Sequence, residues 1–112
     1  MDAGKKEGPE IDRKIVEIRN LTQDILNLGV DVSKNSIEIK EKMRLVISLV
    51  GFVISYPNPK IETIKNPLTE LSQNIFELID NHPKQNDSIM TYLKLYCGFA
   101  NNLVDAMVQK KR

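Results

Sequence analysis

Few residues in this chain could do covalent or metal chemistry. It holds one histidine, His82, and one cysteine, Cys97. Metal sites need clustered His, Cys or carboxylate ligands, and no Glu-x-x-His pattern occurs. His82 stands directly before Pro83 in a polar stretch and reads as a surface residue. Cys97 lies between Tyr96 and Gly98, with no cation or helix start nearby to favour its thiolate. It reads as a small apolar residue at the edge of a core. The carboxylate pairs Glu7/Glu10 and Glu77/Asp80 fall in a tail and at a helix end, where such charges are solvated. The glycines are scattered, so no phosphate-cradling loop is present. Neither a catalytic residue, a metal nor a cofactor is expected, and the chain does not read as an enzyme.

Cations and aromatics are the remaining candidates. Lys40, Arg44, Lys60 and Lys65 are placed to rim an apolar trough between the second and third helices and to meet an acidic partner. Tyr92, Tyr96 and Phe99 recur at helical spacing and read as core packing, with an aromatic-lined groove for a ligand or peptide as the alternative. Nucleic acid is not an expected partner. The net charge is +1, and Glu38 and Glu41 dilute the basic strip of Lys34, Lys40 and Arg44. A lone cysteine fits a reducing compartment, so a cytoplasmic location is expected. The polar start lacks the apolar run of a secretory signal, and the longest apolar run, Leu45–Tyr56, is too short to span a bilayer.

That run is the element around which the others must be arranged. Only Ser48, Gly51 and Ser55 interrupt it, at spacings of three and four. A helix apolar on nearly every side needs helical neighbours. Residues 1–8 read as a disordered tail, 9–109 as one helical domain and 110–112 as a basic end. The first helix opens at Pro9 and carries Ile11, Ile15, Ile18 and Ile25, with Thr22 in the same stripe and Gly29 as its cap. Asn35 and Glu38 form a capping box for the second helix. Val32, Ile39, Met43, Val46, Val50 and Val53 keep the phase of the first stripe, so a single long rod is the competing reading. Tyr56-Pro57-Asn58-Pro59 ends the second helix. The third carries Ile61, Ile64, Leu68, Leu71, Ile75 and Leu78, and Pro67 either kinks it or opens its main part behind a cap at Asn66.

Asn86 or Asp87 caps the fourth helix. Its core stripe is Ile89, Leu93, Tyr96, Ala100, Leu103 and Met107. A second stripe of Tyr92, Leu95, Phe99 and Ala106 is expected to widen the buried arc. Thr91, Lys94, Gly98, Asn101 and Asp105 are expected to face water.

No stretch alternates with period two. Short connections make successive helices antiparallel, so the expected fold is all-α, an up-down-up-down four-helix bundle. The order of an amphipathic helix, a long apolar helix, a proline-rich break at Tyr56-Pro57-Asn58-Pro59 and two further helices resembles the focal-adhesion-targeting type of bundle. That resemblance implies docking of acidic, leucine-rich helices. The expected function is a non-enzymatic interaction module that holds another protein, or an amphipathic helix, in an inter-helix groove. The alternatives are a homodimeric assembly protein, joined through the first helix or a continuous rod, and a small subunit of a nucleic-acid-associated complex.

Overall fold

The structure is a computed structural model that describes residues 3–55 and 67–111, with side chains described for 10–54 and 68–107. Among the described residues every regular element is helical. Helix α1 spans Ala3–Leu28, starting at Ala3 rather than at Pro9. A 3₁₀ turn, Gly29–Asp31, leads without a break into α2, Val32–Ser55. Helix α3 spans Pro67–Asn81 and α4 spans Asn86–Lys111. The expected breaks at Tyr56-Pro57-Asn58-Pro59, and Ile61, Ile64 and Asn66, lie outside the described residues.

The fold is therefore all-α, but four separate helices are not what is observed. Residues 3–55 form one continuous helical run with a sharp bend, so the described residues hold three runs, and the four-helix bundle is not confirmed. Nor is the first run a straight rod. A straight helix of that length would measure about 80 Å, whereas the longest dimension of the molecule is 54 Å. The two arms lie side by side: the Lys42 ammonium is 3.6 Å from the Asp24 carboxylate, and Lys14 stands 5.5 Å from the centre of the Phe52 ring.

The bend explains itself residue by residue. Asn35 departs from helical geometry at φ −108°, ψ 15°. Its side-chain amide donates to the Leu28 carbonyl, 3.0 Å away, and so satisfies an end of α1 rather than capping α2. Asp31 does the capping: its carboxylate accepts from the Lys34 amide at 3.2 Å. Gly29 packs closely against α4 rather than serving as a left-handed cap. A side chain there would meet Met90 Sδ at 2.8 Å and Leu93 Cδ1 at 3.0 Å. The bend is thereby pressed against the start of α4. Asn86 clasps it there, accepting from the Val32 amide at 2.8 Å and donating to the Gly29 carbonyl at 2.9 Å. The side chain expected to cap its own helix thus serves the neighbouring ones.

The core follows one repeating spacing. Ile18, Thr22, Ile25, Gly29 and Val32 are buried, as are Ile39, Met43, Val46, Val50 and Val53. The same three-and-four alternation continues through Leu68, Ser72, Ile75 and Ile79 in α3, and Ile89, Leu93, Tyr96 and Ala100 in α4. That period is the one that lets helix ridges interlock at shallow crossing angles. Buried polar atoms are paired: the Thr22 hydroxyl donates to the Arg19 carbonyl, and the Tyr96 hydroxyl donates to the Met43 carbonyl at 2.8 Å.

Helix α4 buries its expected core stripe through Ile89, Leu93, Tyr96 and Ala100 and exposes Thr91, Lys94 and Gly98 as expected, but its two flanks differ from the expectation. Asn101 and Asp105 are half-buried against α1, where Asn101 donates to the Thr22 hydroxyl and Asp105 binds Arg19 at 2.6 Å. Cys97 and Val104 are buried on that same edge. The opposite edge turns out: Tyr92, Leu95 and Phe99 are 43%, 58% and 41% exposed, and Ala106 is exposed too. They do not widen the buried arc. Helix α2 is likewise open on one line, with Leu45 53% exposed and Ser48 exposed, while Gly51 is buried. The apolar run of α2 is thus enclosed on most sides but not on all.

Candidate functional site: the groove between α3 and α4

Helices α3 and α4 are joined by a short turn in which the His82 amide donates to the Leu78 carbonyl and the Gln85 amide to the His82 carbonyl. Such a connection returns the chain antiparallel. Beside it lies a concavity of about 420 Å³. Leu71, Leu78 and Tyr92 give it apolar walls, and Asn74, Glu77 and Asn81 give it a polar edge. His82 also lines it and is exposed, as its place before Pro83 implies. Tyr92 belongs to the exposed edge of α4. Leu95 and Phe99 follow it at i+3 and i+7, so the apolar surface continues along α4 from the cavity.

The four cations expected to bind a partner are divided. The Lys40 ammonium bonds the Asp80 carboxylate and lies 5.9 Å from the centre of the Phe76 ring. The Arg44 guanidinium lies 5.2 Å from the same ring. Both therefore fasten α2 to α3. Lys60 and Lys65 lie outside the described residues. Of the Glu77/Asp80 pair, Asp80 takes Lys40, while Glu77 borders the concavity.

The aromatic line expected in the core divides as well. Tyr96 is buried, and burial pushes its phenol well above the usual range. Tyr92 and Phe99 are on the surface. Beside Tyr96, the Cys97 thiol donates to the Thr22 carbonyl at 3.5 Å, and burial raises its pKa to about 12. A thiol held so firmly in its neutral form is packing material rather than a nucleophile. Among the described residues no three His, Cys, Asp or Glu side chains gather as a metal site. No described helix is long and apolar enough to cross a membrane.

No family model, no curated protein and no solved structure matches this chain. The likeness in helix order to focal-adhesion-targeting bundles is thus without a matching relative, and the site stands on its own geometry. A groove on this edge was only the lesser alternative from the sequence, because Tyr92, Leu95 and Phe99 have the spacing of a core stripe. Their signal lay across the helix, where Asn101 and Asp105 offered polar partners to Arg19 and Thr22. Those pairings lie on the edge of α4 that turns toward α1.

Proposed function

We propose that the chain is a non-enzymatic interaction module. Its helices would stand as an antiparallel up-down-up-down bundle, with a partner protein's amphipathic helix docked between α3 and α4. Side-chain pairings support the arrangement: Asp24–Lys42 relates α1 to α2, Lys40–Asp80 relates α2 to α3, and Arg19–Asp105 relates α1 to α4. The observation that carries the docking reading is the concavity running into the exposed Tyr92, Leu95 and Phe99 edge. A partner helix would lay its i, i+3, i+7 apolar anchors there and remove that surface from water. Each fully covered side chain contributes about 1.5–3 kcal/mol before the entropic cost of association. Lys40 and Arg44 have partners on α3, which favours the α3/α4 side over the α2/α3 side expected from the sequence.

Amide chemical-shift mapping tests it, using a stapled amphipathic helix with a Leu/Phe stripe and uncharged flanks as the probe. Shifts are expected along residues 71–82 and 88–99. The double variant Tyr92→Ser/Leu95→Ser should weaken binding by about tenfold or more, as the loss of two anchors implies, with an unchanged melting temperature. Shifts confined to α1 and α2, or a double variant that binds as well as the parent chain, would overturn the reading.

A further inference from the structure

The α3/α4 groove is electrically one-sided, and we propose that it selects a basic partner helix, with Lys or Arg placed one heptad apart beside its apolar anchors. This rests on the docking reading above and adds the chemistry of the partner. Glu70, Asn74, Glu77 and Asn81 recur at spacings of four, three and four, so they form one ribbon along α3. All four are exposed, and the last three line the concavity. Neither Glu70 nor Glu77 makes an ion pair among the described residues, whereas Asp80 is already neutralised by Lys40. The last turn of α3 contains no basic residue, so the negative end of its dipole adds to the same field near Asn81.

Among the described residues, the opposite lip of the groove carries no charge. Continuing from Tyr92 and Leu95, the exposed edge of α4 presents Ser88, Thr91 and Asn102. Lys94 stands seven residues before Asn101, and so on the edge of α4 turned to α1. An incoming helix therefore meets carboxylates along one side only, which sets its orientation as well as its charge. Glu70 and Glu77 are one heptad apart, about 10.5 Å along the axis, and cations at i and i+7 of the partner match that interval. An acidic helix would be repelled at the same two points.

Three labelled helical peptides with one shared Leu/Phe stripe provide the test, their two flanking positions occupied by Lys, Gln or Glu. Binding to the full chain is read by fluorescence anisotropy at low and at raised salt. The Lys peptide is expected to bind about tenfold more tightly than the Glu peptide at low salt, and the gap to narrow as salt is added. The variant Glu70→Gln/Glu77→Gln should close most of that gap. Equal or tighter binding of the Glu peptide, or a gap that survives the double variant, overturns the basic-partner inference while docking itself stands. Failure of all three peptides to bind overturns the docking reading with it. A homodimer in light scattering that Tyr92→Ser/Leu95→Ser dissociates makes a second copy the occupant and likewise overturns the inference.

Discussion

Replacing Val50 with aspartate should cost at least about 3 kcal/mol of folding stability, because an unpaired carboxylate would enter an apolar interior. Val50 is wholly buried in α2, within the stripe of Met43, Val46 and Val53. The introduced acid would either stay ionised without a partner or take up a proton at a cost in free energy; both destabilise the folded state. Domains of this size are stable by about 5–15 kcal/mol, so Val50→Asp should lower the melting temperature by many degrees or prevent folding. Ser48→Asp is the matched control. Ser48 is exposed two residues earlier on the same helix, and aspartate there should change stability by no more than about 0.5 kcal/mol. Circular dichroism melts of both variants decide the matter. Equal melting temperatures for Val50→Asp and the parent chain would contradict the burial of that face.

Raising the pH should unfold the protein in a defined window. The Cys97 thiol has an ordinary value of 9.0 and is raised to about 12 by burial. The Tyr96 phenol starts from 10.0 and is raised further, by burial first and by the neighbouring Cys97 second. Both groups are neutral when protonated, so the folded state holds their protons while the unfolded chain releases them. Their contribution is complete below pH 9 and declines as pH rises from 9 toward 12. Each group that ionises only in the unfolded chain removes about 1.4 kcal/mol per pH unit. Urea titrations from pH 7 to 11 should show a flat region, then a fall that steepens above pH 10 as tyrosine joins. Cys97→Ala should postpone the onset of that fall, and Tyr96→Phe should remove the later steepening. Stability that stays level to pH 11 in the parent chain would show that these two side chains are not shielded as described.

Much of the fold was legible from the spacing of apolar residues. The stripe from Ile18 to Val53 is buried at each position the pattern names, because a helix presents residues three and four apart on one face whatever it packs against. Less legible was what happens between α1 and α2. Gly29 and Asn35 read as an ordinary cap and capping box, yet their roles come from residues more than fifty positions away or across the bend: Met90 and Leu93 fill the space at Gly29, and Asn86 holds the carbonyls there. No local rule contains those neighbours. The core stripe of α4 was legible, but which of its flanks is covered was hidden for the same reason. Two apolar edges flank its core stripe, Cys97 and Val104 on one side, Tyr92 and Phe99 on the other, and hydrophobicity does not choose between them. The pairing of Asp105 with Arg19 and of Asn101 with Thr22 accompanies the covered edge. The candidate groove follows from that choice, since the apolar edge left outside is the one beside α3.

The groove exists only if the 3–55 run folds back on itself and leaves α4 between α1 and α3. A spin-label distance between positions 17 and 48, introduced as Glu17→Cys and Ser48→Cys in a Cys97→Ala background, reports that directly. Both positions are exposed and lie at nearly the same level of the paired arms, judged from Asp24–Lys42 and Lys14–Phe52. Arms folded side by side predict a distance below about 25 Å, while a straight helix would hold the labels about 46 Å apart. A single population at the shorter distance is the expected result, and one at the longer distance would contradict both the fold and the site built on it.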